Sequence, residues 1–209
     1  MTVRTGDACR LETQNIEDDL LSYEVKGGKL TMQVKYRKHT IQNVLPFLHI
    51  SQSQKVTITL PADTSLQDAV MELSMGNAHL EDLSVEKGTF STEMGNAHAE
   101  GCKLGEVSLT SNMGNIHVEG STAQKATCTS NMGNVHIEGT QTETALYSSN
   151  MGNVHVEMPD DLSAYTLKLN TTMGNVKVRG QKNGHSFSQE GTSGKSITAS
   201  TEMGNVSIE

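Results

Sequence analysis

The chain has 209 residues, a formal net charge of -8, 3% aromatic residues and no Trp. An acidic balance without a Lys/Arg run argues against a nucleic-acid partner and against an anionic membrane surface. So little aromatic bulk argues against an ordinary compact globule and for a narrow interior filled by Val, Ile, Leu, Met and Ala.

Met1-Thr2-Val3-Arg4 reads as a strand from its first residue, so any leader or anchor is expected outside this chain. No stretch of 18 apolar residues marks a spanning helix. Cys9, Cys102 and Cys128 form neither a CxxC nor a zinc pattern and read as small core or loop side chains. Leu20 to Val25 and Leu30 to Tyr36 alternate in part around Lys26-Gly27-Gly28-Lys29, which predicts a hairpin with a two-glycine turn. Residues 37 to 53 are apolar in patches around Pro46 and predict a loop or short helix over the first coil, or a partner-docking patch. Val56, Ile58 and Leu60 alternate with Thr57 and Thr59, a strand that stops at Pro61-Ala62-Asp63.

From there one phrase repeats. Met-Gly-Asn begins at Met75, Met94, Met113, Met132 and Met151 with a constant spacing of 19, then at Met173 and Met203 after 22 and 30 residues. A fixed period of this length marks a solenoid, each repeat one coil stacked on the next. At roughly 3.3 Å per residue, 19 residues close a contour of roughly 60 Å, enough for two strands and two turns or a small triangle. Within a coil, Val107, Leu109, Ser111 and Met113 share one parity and are expected inside, followed by a Gly114-Asn115 corner and inward Ile116 and Val118. The same grammar fits Ala126, Cys128, Met132, Val135 and Ile137, and continues through Leu167, Leu169, Val176, Val178, Ile197, Ala199, Val206 and Ile208. Stacking converts the repeat into ladders: an inward Met ladder filling space and an Asn ladder pairing amides along the stack.

The longer intervals insert loops near Met158-Pro159-Asp160-Asp161 and within Gln181 to Lys195. Residues 206 to 208 read as the last strand, an open end where self-association through the exposed edge is one expectation. The insertion within 181 to 195 folding over that edge is the favoured one.

The phrase Val56-Thr57-Ile58-Thr59-Leu60-Pro61-Ala62-Asp63-Thr64-Ser65-Leu66, followed by Gly-Asn/Asp-[Val/Ile]-x-[Val/Ile] repeats, resembles the large bacterial family of adhesin-like proteins with β-strand repeats, a domain of unknown function. The resemblance extends from about Val25 to Glu209. It implies a β-solenoid-like fold, no established catalytic residue and frequent attachment to the cell envelope. The uniform Met-Gly-Asn and the repeated His depart from that pattern.

One outward ladder asks for a role. His79, His98, His117, His136 and His155 hold the same place in five successive coils, and Glu81, Glu100, Glu119, Glu138 and Glu157 follow two residues later on the same face. In the next two repeats of the sequence the places hold Lys177 with Arg179, then Ser207 with Glu209. Such a row reads as a solvated polar face, as a surface for a polymeric or cell-surface ligand, or as a metal-binding row. Imidazoles about 4.8 Å apart share a metal only with rotamer adjustment, and the sequence by itself assigns no metal ligand and no cofactor. No nucleophile or acid pair repeats in a cleft, and Ser and His read as solvent-facing decoration, so no enzyme is expected.

The sequence thus predicts one all-β domain: an N-terminal, hairpin-containing cap (1–60) followed by a solenoid of about seven coils (61–209), with a β-sandwich of the same strands as the alternative. The expected function is a non-enzymatic envelope or extracellular module binding an envelope polymer, glycan or protein through the His/Glu face. The alternative is a spacer or envelope-stress sensor without a ligand of its own.

Overall fold

A computed structural model of the chain describes residues 1–16, 21–26, 29–34 and 55–209. The strands are β1 (Thr2–Gly6), β2 (Arg10–Gln14), β3 (Leu21–Lys26), β4 (Lys29–Val34), β5 (Lys55–Pro61), β6 (Ser65–Met75), β7 (Ala78–Glu81), β8 (Ser84–Met94), β9 (Ala97–Glu100), β10 (Lys103–Met113) and β11 (Ile116–Glu119). They continue as β12 (Thr122–Met132), β13 (Val135–Glu138), β14 (Gln141–Met151), β15 (Val154–Glu157), β16 (Tyr165–Met173), β17 (Val176–Val178), β18 (Gln181–Lys182), β19 (Ser186–Gln189), β20 (Lys195–Met203) and β21 (Val206–Ile208). β3 and β4 pair antiparallel from Lys26 opposite Lys29, the expected hairpin register. Gly27, Gly28 and the apolar stretch 37–53 lie outside the described residues.

Each coil is two strands and two corners: a long arm of 9 to 11 residues and a short arm of 3 or 4. The long arms stack into an eight-stranded sheet and the short arms join an eleven-stranded one. Successive coils pair in parallel and in register, Ile116 beside Val135 and Val135 beside Val154. The strands are therefore those of a solenoid. Period-2 burial follows: Val107, Leu109, Ile116, Val118, Val135, Ile137, Val154 and Val156 are all buried in one core between the two sheets. Cys102 and Cys128 belong to that core, while Cys9 is exposed.

Three expectations need correction. The first concerns the order of coils. β21 pairs with β15 on one side and β17 on the other, and β20 lies between β14 and β16. The last segment of the chain is thus seated inside the stack, and residues 206–208 are not its open end. The outermost coil is β16–β17, and the insertion covers it: β18 pairs antiparallel to β17 and β19 antiparallel to β16. The insertion does blunt an edge, but the edge of a different coil. Period alone could not show this, because every coil presents the same ladder and any two coils match. At the other end β1 enters the short-arm sheet between β5 and β7.

The second concerns methionine. Met75, Met94, Met113, Met132, Met151, Met173 and Met203 are 39 to 64% exposed, so the Met ladder faces out. Strand parity holds through Ser111 and then breaks, because the chain begins its corner there and Asn112 and Met113 both point away from the core. The third concerns serine: Ser130 and Ser149 are buried, like the inward-predicted Ser111, and are not surface decoration.

Candidate functional site

The Met-Gly-Asn corner fixes everything downstream of it. Gly114 has φ +155°, and a Cβ there would lie 2.0 Å from the Gly95 carbonyl oxygen of the preceding coil. Only glycine lets the two backbones come that close. In six of the seven repeats a buried hydroxyl two residues before the Met then completes the corner. Ser111 donates to Gly95 O (2.9 Å), Ser130 to Gly114 O (2.9 Å) and Ser149 to Gly133 O (2.8 Å), while Thr92, Thr171 and Thr201 do the same in their coils. Asparagine supplies the other half. Its Oδ1 accepts from the backbone N–H of the next Asn along the stack, as Asn96 does from Asn115 and Asn115 from Asn134, both at 2.8 Å. Its amide reaches the same oxygen at only 3.3 to 3.4 Å. The Asn ladder therefore mainly satisfies corner N–H groups that no strand partner could reach. The hydroxyl ladder was readable as Ser/Thr-x-Met-Gly-Asn in six of the seven repeats but was missed.

With the corner fixed, the short arm holds each His and Glu in register. His117 pairs beside His98 and His136, and Glu119 beside Glu100 and Glu138. All five imidazoles and all five carboxylates predicted from the sequence lie in two adjacent rows on the outer face. Ring centroids from His79 to His155 are 4.5, 4.8, 4.9 and 4.9 Å apart. Within each coil Nε2 faces the carboxylate: 3.2 Å for His79–Glu81, 3.7 Å for His98–Glu100, 3.4 Å for His117–Glu119 and His136–Glu138, and 2.8 Å for His155–Glu157. Burial, and then the flanking imidazoles of His79 and His117, hold His98 below the ordinary histidine range. The hydrogen bond from His155 holds Glu157 below the ordinary carboxylate range.

The ends of the row differ from the expectation. Thr2 sits beside His79 and Arg4 beside Glu81. At the far end Ser207 sits beside His155, and Lys177 lies one coil further out, beside Ser207. Arg179 bonds Asp161 at 2.7 Å. Lys177 and Arg179, which follow His155 and Glu157 in the sequence order of repeats, are therefore not their direct neighbours in the stack. A shallow groove lined by Asn115, Asn134, Asn153, His117, His136 and His155 runs between the Asn and His rows.

A stack of two-armed parallel coils, each cornered on Gly-Asn, defines a β-solenoid with an outward polar ladder. The chain belongs to the Toastrack DUF4097 family, whose model matches residues 1–209. No curated protein matches the sequence. Among solved structures it is similar to "a putative cell adhesion protein" from Clostridium sporogenes, at 12% identity and a TM-score of 0.38, over 99% of this chain and 86% of that one. No helix among the described residues is long and apolar enough to cross a membrane.

Proposed function

We propose that the chain is a non-enzymatic, adhesin-like binding module of the cell envelope or extracellular surface, whose His/Glu face engages a repetitive polymer, a glycan or a protein. One observation supports this reading: five His/Glu pairs repeat in register along the stack, with a groove beside His117, His136 and His155. A surface of identical sites at one spacing suits a ligand that itself repeats, because each further contact is intramolecular. The test is binding of the chain to immobilised cell-wall polysaccharide and host glycans. Replacing His98, His117 and His136 together by Ala should weaken saturable binding at least about tenfold with the melting temperature preserved. A parent chain that binds none of these saturably overturns the proposal.

The spacer or sensor reading has its own support, since each imidazole already has a carboxylate of its own coil within 3.7 Å to balance its charge. Removal of one 19-residue coil that alters spacing or signalling, in a chain without ligand binding, favours it.

A further inference from the structure

The His/Glu rows bring together donor sets that neither row offers alone. Three groups have one ligand atom from each member within 4.8 Å of the others: His79, His98 and Glu100; His98, His117 and Glu119; and His136, His155 and Glu157. Each takes imidazoles from two successive coils and a carboxylate from the second. Two imidazoles and one carboxylate is a donor set suited to zinc, with a fourth position left to water. We propose that the outer face binds two divalent transition-metal ions per chain, zinc or copper(II), one at His136, His155 and Glu157 and one at the His98-centred pair of groups.

The distances support the assignment. A tetrahedral ion with bonds of about 2.0 to 2.1 Å holds its ligand atoms about 3.3 to 3.4 Å apart. The separation within a coil is 3.7 Å at His98–Glu100, 3.4 Å at His117–Glu119 and 2.8 Å at His155–Glu157, so these atoms bracket that span without movement of the backbone. The imidazole of the neighbouring coil must close from at most 4.8 Å, which a side-chain rotation supplies. The backbone pins the coils in register, so both imidazoles arrive on rigid strands.

A second observation points the same way. Nε2 of His79 and of His98 is shielded from solvent and makes no hydrogen bond of good geometry, although carboxylate oxygens lie 3.2 and 3.7 Å away. A shielded imidazole nitrogen without a proton partner is costly, and coordination removes that cost. The stoichiometry follows from sharing: the first two groups both need His98, so together they hold one ion. The third group is separate from both.

This inference is independent of the polymer-binding reading, since a chain that captures no polymer can still bind ions. The experiment is calorimetric titration of the full chain with zinc chloride at pH 7.5, with variants checked for an unchanged melting temperature. The parent should bind two ions. His155→Ala should bind one, His98→Ala should bind one, and the double variant none. His117→Ala should still bind two, because His79, His98 and Glu100 remain. Copper(II) bound to the His98→Ala variant should show nitrogen couplings in electron paramagnetic resonance that His155→Ala, introduced in addition, abolishes. No saturable zinc binding by the parent, or two ions retained by the double variant, overturns the proposal.

Discussion

His155 Nδ1 lies 2.6 Å from Ser207 Oγ, although 52 residues separate them. That contact exists because the last segment of the chain is inserted between two coils that precede it. Met158 N–H donates to Glu209 O, Glu209 N–H to Val156 O and Arg179 N–H to Ile208 O, each at 2.9 Å, so β21 is bonded on both sides. Val206 and Ile208 have no exposed surface. A strand three residues long near a chain terminus would ordinarily fray. Here its loss opens a gap in the middle of the sheet.

Ile208→Asp should therefore destabilise the chain about as much as Val135→Asp in the central coils, on the order of 4 kcal/mol each. Both place an unpaired charge in a dry stack. Chemical denaturation of the two variants side by side is the measurement. If Ile208→Asp costs less than about 1 kcal/mol while Val135→Asp is severe, the terminal segment is not seated as described.

The Gly ladder separates close approach from backbone strain. Gly114→Ala drives a Cβ against the Gly95 carbonyl, whereas at Gly76, the first corner of the ladder, nothing lies within 4 Å. Both glycines have positive φ, +155° and +118°. Gly76→Ala should cost only the conformational strain, about 1 to 2 kcal/mol. Gly114→Ala should cost about 3 kcal/mol or more, because the clash is with backbone that the parallel ladder holds in place. Equal losses in the two variants would show that backbone conformation alone dictates the glycine.

The solenoid was legible because Met-Gly-Asn recurs at 19 residues and because Val135 and Ile137 alternate with His136 and Glu138. The same regularity gave the two outward rows residue by residue. It could not give the order of the coils, since Asn205 accepts from Asn175 and donates to Asn153 just as any other Asn in the ladder would. Nor could it give the side chain at Met113. Parity counts residues along a straight strand, and the strand stops being straight at Asn112. The resemblance carried by residues 56 to 66 and the repeats is borne out by the family match. The shared metal groups depended on ring positions that no spacing rule contains.

Seven surface methionines should be oxidised without unfolding. The seven Met-Gly-Asn methionines are all at least 39% exposed, whereas Met71 is 6% exposed within the core. Thioether oxidation turns an apolar side chain polar, which is disruptive in a core and tolerable on a surface. Dilute hydrogen peroxide should convert the seven corner methionines, read by peptide mass spectrometry, before Met71 reacts, and the melting temperature should fall by only a few degrees. Early oxidation of Met71, or collapse of the melt after the corner residues react, contradicts this placement.

The covering strands β18 and β19 should keep the outermost coil from pairing with another molecule. Phe187 on β19 is half-buried against the core, and Gln189 Nε2 donates to Leu162 O at 2.7 Å. These contacts hold β19 along β16, whose bare edge would otherwise offer a row of unpaired backbone groups. Phe187→Asp should lift β19 away and raise the mass seen by light scattering in a concentration-dependent way. A variant that stays in the parent's association state, while hydrogen exchange shows β19 released, would remove the capping role.

The last prediction concerns acid. Asp160 joins three segments of the stack: its carboxylate accepts from Lys195 Nζ at 3.1 Å, Tyr165 Oη at 3.0 Å and Gln141 Nε2 at 3.2 Å. Lys195 begins β20, Tyr165 begins β16 and Gln141 begins β14, so this one side chain ties the inserted coil to both of its neighbours. The hydrogen bonds from Lys195 and then Tyr165 hold Asp160 below its ordinary value of 3.8. The unfolded chain therefore binds the proton first, and stability rises with pH across the interval between the two values. Its contribution is complete above about pH 3.8 and disappears as pH falls through the folded value. Lys195 is shifted upward by the same contact, so its share is present below its ordinary 10.5 and is lost as pH rises through the folded value. Asp160→Asn should lower the melting temperature at pH 7 by a few degrees, consistent with a partly exposed network. The gap to the parent should narrow as pH falls below about 3.8 and the parent carboxyl takes up its proton. Hydrogen exchange at pH 7 should show the loss of protection concentrated in β20 and β16. A melting-temperature gap that stays constant from pH 7 to pH 2 would mean that Asp160 acts by shape and not by charge.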